Sequence, residues 1–298
     1  MPLSRRALLS TATAAVFAAA TAPAVAATGS RLRATAVRHI PLQGAVNVRD
    51  LGGYVTYTGG RVRHGLVYRA DALGKLTDSD VTTLAGLRLG RAVDFRIPLE
   101  VQYDGADRLP AGVVPVSRPI TDNGLFGQLL AAIGSRDPVR QEQMLGGGRA
   151  AAFMNEVYRS FVTSAANRAQ FGLTLRELAG LGSTPSLYHC TSGKDRTGWT
   201  SYLLLTALGV PEATAVGDYL ASNTFRAAYD AKVREGLKQG GLMQNPDLII
   251  PLQEVRTAYL NTALDEVRTA YGSPFRYLTD GLGLELRTLS RLQDRLVD

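Results

Sequence analysis

His189-Cys190-Thr191-Ser192-Gly193-Lys194-Asp195-Arg196-Thr197-Gly198 follows the apolar run Ser186-Leu187-Tyr188 and holds the one cysteine among 298 residues. It places a thiol, five intervening residues and an arginine where a strand gives way to a helix. A thiol is a weak nucleophile until it ionises, and helix N-termini and nearby cations favour the ionised form. The turn through Gly193 provides the first condition, and Lys194 and Arg196 the second. The same backbone amides and guanidinium suit a phosphate dianion. The stretch reads as a phosphate-binding loop that carries its own nucleophile.

Phosphate ester hydrolysis needs a nucleophile, a cradle for three anionic oxygens and an acid for the leaving group. Cys190 as thiolate would attack phosphorus in line and form a phosphocysteine. The amides of Thr191, Ser192, Gly193, Lys194, Asp195 and Arg196 would bind the equatorial oxygens. Arg196 would grip two of them with a planar fork that lysine cannot reproduce. Thr197 would help the thiolate leave or orient water in the second step. No metal or other cofactor is required. A nucleotide-binding Walker loop is excluded, because Tyr188 and Asp195 stand where it needs Gly and Ser or Thr.

Outward from the loop, short apolar runs alternate with helical spacing. Leu66 to Ala70, Arg91 to Arg96, Val113 to Val116 and Ser186 to His189 read as strands. Asp78 to Leu87 reads as a helix with Thr77 as its N-cap, and Pro98 opens a short helix with Glu100 in its first turn. Ile120 to Gly124 is a strong turn signal. Residues 125–181 are mostly helical, with a break at Gly146-Gly147-Gly148. The helix after the loop is predicted over Gly198–Leu208, stopped by Gly209 with Pro211 beyond it. Past Pro211 the chain is almost wholly helical, with an apolar stripe at Val255, Tyr259, Ala263, Val267 and Tyr271. Strands alternating with helices imply an α/β fold whose central sheet is covered on both faces. Without a linker-like segment after the leader, residues 27–298 read as one domain with a helical extension.

The first residues are a different matter. Arg5-Arg6 precede an Ala-rich apolar stretch through about Ala22, and Ala24-Val25-Ala26 gives small residues at cleavage spacing. Residues 1–26 are therefore read as an export signal of twin-arginine type. Pro23 and the shortness of the segment argue against a spanning helix. The rest of the chain is expected outside the cytoplasm, without membrane insertion. A lone cysteine in an exported protein cannot close an internal disulfide, which marks Cys190 as a reactive thiol. The net charge of +7 and pI near 9.7 favour acidic partners. No dense Lys/Arg run or interleaved basic–aromatic segment accompanies it, so nucleic acid is not an expected partner.

His-Cys-x-x-Gly-Lys-Asp-Arg-Thr-Gly resembles the signature of atypical secreted bacterial tyrosine phosphatases that hydrolyse phosphoproteins and phosphoinositides. Asn47 to Gly53, Leu66 to Arg69, Val93 to Arg96 with Glu100, Tyr158-Arg159 and Asp218 to Asn223 resemble that family's further motifs, as does the late helix with Tyr277-Leu278. The likeness spans about residues 40–295. It implies a cysteine-phosphatase fold with a central, mostly parallel sheet and a helical lid drawn from residues 212–250. It also implies Cys190 as nucleophile, Arg196 as phosphate ligand and Asp195 as general acid, with a loop-stabilising ion pair as the bland reading of Asp195. Asp122, in its Asp-Asn-Gly turn, is the rival acid, with a plain surface turn as its bland reading. Lys194 would add charge for multiply phosphorylated head groups. Asp94 would orient Lys194 or the loop, and His189 would bond near the Cys190 backbone or be a satisfied core histidine. The expected activity is hydrolysis of phosphotyrosine, extending to phosphoserine, phosphothreonine and phosphoinositides. The competing class is a non-catalytic phosphate- or phosphoinositide-binding module.

Overall fold

The structure is a computed structural model that describes residues 38–180 and 184–298. The leader assigned to residues 1–26 lies outside the described residues, as does all of the polar lead-in before Arg38. Arg38–His39 (β1) and Arg49–Asp50 (β2) open the chain, followed by Val67–Ala70 (β3), Asp78–Ala85 (α1), Arg91–Asp94 (β4), Pro98–Asp104 (α2) and Val114–Ser117 (β5). Four helices come next: Leu125–Ser135 (α3), Pro138–Leu145 (α4), Arg149–Thr163 (α5) and Ala165–Gly180 (α6). Then Ser186–His189 (β6) feeds Arg196–Ala207 (α7). Glu212–Gln239 (α8), Ile250–Gln253 (α9), Thr257–Tyr271 (α10), Pro274–Arg276 (α11) and Leu286–Leu296 (α12) complete the described chain.

The six strands form one sheet in the order β1-β2-β3-β6-β4-β5. β3, β6, β4 and β5 run parallel, and β1 and β2 add an antiparallel edge. Successive side chains of a strand face opposite ways, and the two cores follow that alternation. Tyr68, Ala70, Ala92 and Leu187 pack with Leu84 of α1 on one face. Val67, Val93, Phe95 and Tyr188 pack with α5, α6 and α7 on the other. The expected sheet covered on both faces is what forms.

Local signals set most boundaries. Thr77 caps α1 reciprocally with Asp80, and Asp80 also accepts from the amides of Gln43 and Gly44, tying α1 to the segment before β2. Gly209, at φ +78°, ends the helix after the loop. That helix starts at Arg196, two residues earlier than its apolar pattern indicates, because Asp195 already accepts from the Trp199 amide. The late stripe also shifts: α10 begins at Thr257, so Val255 precedes it and is held by Asn223 through both backbone groups. β5 is the exposed edge of the parallel strands.

Ala70, His189 and Asp94 stand level across β3, β6 and β4. The three chains leaving those strands therefore converge at one edge, the usual place for a ligand in a parallel sheet. α8 runs unbroken through Gln239 before Gly240-Gly241 turns the chain back. The returning segment is pinned where Gln141 donates to the Leu242 carbonyl and Arg234 donates to the Gln253 side chain. None of the described helices is long and apolar enough to cross a membrane.

Candidate active site

Cys190 follows β6 directly and is 1% exposed. The loop beyond it is held by its carbonyls. Thr191 O accepts from the Ala72 amide at 3.1 Å. Ser192 O accepts from Asn47 Nδ2 at 3.1 Å and Arg226 Nη1 at 3.3 Å. Gly193 O accepts from Arg69 Nη2 at 2.7 Å. With the carbonyls turned to the scaffold, the amides of Thr191, Ser192, Gly193, Lys194 and Asp195 donate to no described acceptor. Such a run of free N–H groups at a helix start is an anion nest. Gly193 makes the turn possible: its φ is +64°, and a Cβ there would lie 2.4 Å from Ala70 O.

The residues that hold the loop are themselves tied to one buried carboxylate. Asp218 of α8 takes Arg49 Nε on Oδ1 at 2.9 Å and Arg69 Nη1 on Oδ2 at 2.5 Å. Arg49 also donates to Asn47 Oδ1 and to the Asp218 carbonyl. Burial alone would raise the Asp218 carboxyl, but the two guanidiniums hold it down at about 2. Sequence reading found Asn47, Arg49, Arg69 and Asp218 only as motif residues. Together they form the frame of the loop.

Glu100 was also missed as a site residue, although it was placed correctly in the first turn of α2. Its carboxylate meets the outer edge of Arg196, Oε2 to Nη1 at 2.7 Å and Oε1 to Nη2 at 2.5 Å. Arg196 Nη1 also donates to the Phe95 and Ile120 carbonyls. Counting donors, this leaves Nε and the second Nη2 hydrogen as the open fork of the guanidinium. Burial opposes both charges, yet Arg196 holds the Glu100 carboxyl below the usual range and Glu100 pushes Arg196 up. Thr191 Oγ1 donates to the same carboxylate at 2.6 Å.

The candidate acids are both engaged. Lys194 Nζ lies 2.9 and 2.7 Å from the two oxygens of Asp195, and Tyr158 donates to Oδ1 at 2.9 Å. Tyr219 of α8 reaches the Tyr158 hydroxyl at 2.8 Å, extending the chain of hydroxyls into the helical layer. Burial, and then the Asp195 charge, push the Tyr158 phenol well up, so it remains a donor. Asp122 forms the expected turn, but it is 5% exposed and not on the surface. Its oxygens accept from the Gly124 and Phe126 amides at 2.9 and 2.7 Å, closing the start of α3.

Of the two roles expected of Asp94, orienting Lys194 is not seen, since Lys194 is not among its described partners; its Oδ1 lies 3.8 Å from Nδ1 of His189, the residue before Cys190. Asp94 binds Arg96 through both oxygens, and Arg96 continues to Asp107 at 2.7 Å. Asp107 in turn holds His189 Nε2 at 2.8 Å, while His189 Nδ1 lies 3.4 Å from the Cys190 carbonyl oxygen. Asp94, Asp107 and His189 have metal-ligand spacing, but the Arg96 guanidinium already bridges the two carboxylates. Burial would lower the His189 ring, and Asp107 outweighs it and raises it. Thr197 Oγ1 is buried without a described partner at the foot of the loop.

A cavity of about 340 Å³ opens beside Thr191 and Ser192. α3 and α8 supply its apolar side, with Leu252 of the returning segment. Asp71, Lys75, Asp104, Arg226 and Asp230 supply its charged side.

The model of the Tyrosine phosphatase family matches residues 40–298, and the chain belongs to that family. A protein of Cupriavidus necator provisionally named a tyrosine-protein phosphatase is 33% identical over 244 residues, 82% of this chain and 84% of that protein. The triple specificity protein phosphatase PtpB of Mycobacterium tuberculosis is 30% identical over 284 residues, 88% of this chain and 99% of that protein.

Proposed function

We propose that this member of the tyrosine phosphatase family hydrolyses phosphomonoesters, phosphotyrosine first among them, through a phosphocysteine on Cys190. One observation carries the reading: the loop carbonyls of Thr191, Ser192 and Gly193 are tied outward, leaving the amides from Thr191 to Asp195 free beside the thiol. The open edge of Arg196, backed by Glu100, supplies the planar fork for two phosphate oxygens.

Cys190 Sγ attacks phosphorus in line, an S–P bond forms, and the bond to the leaving oxygen breaks. Asp195 gives that oxygen its proton. The incoming dianion competes with Asp195 for Lys194, which frees the carboxyl for the leaving group. Water then attacks the phosphocysteine, the S–P bond breaks, and Asp195 recovers a proton from the water. Phosphate leaves and the thiolate is regenerated. Thr197 Oγ1, buried and without a described acceptor, is the donor for the departing sulfur. Asp122, spent on the α3 amides, serves the fold.

PtpB is named for triple specificity, which supports assaying phosphoserine, phosphothreonine and phosphoinositides beside phosphotyrosine. Purified protein should release phosphate from a phosphotyrosine peptide. Cys190→Ser should abolish turnover while retaining phosphopeptide binding, and unchanged turnover sinks the mechanism.

The leader supports a place of action outside the cytoplasm. A reporter fused after residue 26 should be exported, and replacing Arg5 and Arg6 by Lys should block a twin-arginine route. Export unaffected by that change would point to the general secretory route.

A further inference from the structure

We propose that Tyr219 is a positioning residue for proton transfer: it orients the Tyr158 hydroxyl, which holds Asp195 Oδ1 and leaves Oδ2 to carry the proton of the leaving group. The proposal rests on the reading of Asp195 as the acid and deepens it.

The hydrogen count fixes the direction of the chain. A phenol has one hydrogen to give, and a carboxylate can only accept. Tyr158 lies 2.9 Å from Asp195 Oδ1, and Asp195 is paired with the Lys194 ammonium. The Tyr158 hydrogen is therefore spent on Asp195. Tyr219 must then donate across the 2.8 Å contact to the Tyr158 oxygen, with the Arg256 carbonyl, at 3.3 Å, as its weaker alternative. Both tyrosines are fully buried, so bulk water does not compete for either hydroxyl.

Asp195 depends on that chain once substrate arrives. Its carboxylate has two described partners, Lys194 and Tyr158. The incoming dianion competes for Lys194, and Tyr158 is then the hydrogen bond that keeps the carboxyl in place. Tyr158 occupies Oδ1, whereas Oδ2 is held by Lys194 alone among the described residues. Oδ2 is thus the oxygen left for the reaction. Its O–H bond breaks as the leaving oxygen parts from phosphorus, the proton passes to that oxygen, and the electron pair stays on the carboxylate. A carboxyl anchored at one oxygen keeps the other in place, and a misplacement of about 1 Å is enough to cost rate.

The packing holds Tyr219 in register with the loop. Tyr219 follows Asp218 directly on α8, so the turn of helix that ties Arg49 and Arg69 also carries the hydroxyl chain. Gly198 of α7 lets the ring approach: a Cβ there would lie 3.0 Å from Tyr219 Cδ2 and 3.4 Å from Cε2. On its other side the ring meets Tyr158 edge-on, with centroids 6.3 Å apart. One turn of α8 thus serves both the phosphate cradle and the acid.

The test is kcat/KM, which reports the steps through phosphocysteine formation, on a phosphotyrosine peptide and on nitrophenyl phosphate. Tyr219→Phe removes one oxygen from a ring that stays packed. It should lower the peptide value about fivefold, the effect of one neutral hydrogen bond. The nitrophenyl value should not change, since that leaving group needs no proton. In a Tyr158→Phe background the same substitution should have no further effect, because Tyr219 acts through the hydroxyl already removed. Each comparison is a ratio of the two substrates within one preparation, so partly folded protein does not enter it. A ratio unchanged by Tyr219→Phe, or a loss that persists in the Tyr158→Phe background, overturns the proposal. Asp195→Asn tells its failure from that of the acid reading. A loss confined to the peptide in Asp195→Asn, with Tyr219→Phe at the wild-type ratio, overturns the role of Tyr219 alone. Equal losses on both substrates in Asp195→Asn overturn the acid reading, and the role of Tyr219 with it.

Discussion

Glu100 meets Arg196 along the outer edge of its guanidinium, at 2.7 and 2.5 Å, with both side chains buried. The contact fixes the plane of the guanidinium and leaves its inner edge for phosphate. A guanidinium free to swing would still carry charge but would lose the two-point grip that grows as charge develops in the transition state.

Glu100→Ala should therefore lower kcat about 100-fold, the effect of misplacing a transition-state contact, with a smaller change in KM. It should also destabilise the fold by about 3 kcal/mol, because Arg196 is left buried and unpaired. Glu100→Gln, which keeps the shape and one acceptor, should recover part of both. Steady-state kinetics on phosphotyrosine and urea unfolding read the two effects.

Tyr158→Phe removes the hydroxyl that donates to Asp195 at 2.9 Å. If Asp195 supplies the leaving-group proton, the loss should be about tenfold on alkyl or tyrosyl phosphates, the scale of a hydrogen bond to a charged group. It should be near zero on nitrophenyl phosphate, whose leaving group needs no proton. Equal losses on both would reduce Tyr158 to a packing residue.

Asp218 makes stability depend on acid pH. Its native carboxyl titrates at about 2, below the ordinary value near 3.9. The unfolded chain binds the extra proton between those values, so stability rises with pH there. The contribution, about 2 kcal/mol, is present above pH ~4 and is lost as pH falls through about 2. Asp218→Asn should lose that slope in unfolding measured from pH 2 to 5. It should also lower activity, because Arg69 holds the Gly193 carbonyl.

His189 and Asp107 act at the other end of the scale. The native imidazole is raised and Asp107 is lowered. The charged pair is fully present from above the ordinary carboxylate range up to the ordinary histidine value near 6.5, and it fades as pH rises through the higher native value. Asp107→Asn should therefore cost more stability at pH 6 than at pH 9, read as the gap in urea midpoint. A gap that widens with pH would contradict the pairing.

What the chain discloses by itself is largely local. Thr77 with Asp80, the stop at Gly209 and the apolar run Leu187-Tyr188 each act within a few residues, so the strands and helices around the loop are legible. The frame of the loop is not. Arg49 and Arg69 meet Asp218 across 169 and 149 residues, and no spacing rule connects such partners. The Asp122 turn was readable from Asp-Asn-Gly, but its burial depends on α3 and the strands around it. An ion pair within the loop was the bland reading of Asp195, but its partner was not legible: neighbouring residues of opposite charge usually face apart, and the tight loop brings Lys194 and Asp195 together. Glu100 carried one usable signal, an acid at the third position of a helix that follows a buried Asp-Phe-Arg strand.

The most direct test of the central claim is acid-quenched mixing of the protein with excess phosphotyrosine peptide, followed by mass spectrometry of the digest. The account predicts a phosphoryl group on the peptide that contains Cys190, appearing within the first turnover and absent from Cys190→Ser. Steady turnover with no phosphoryl group on that peptide, or turnover that survives Cys190→Ser, would contradict it.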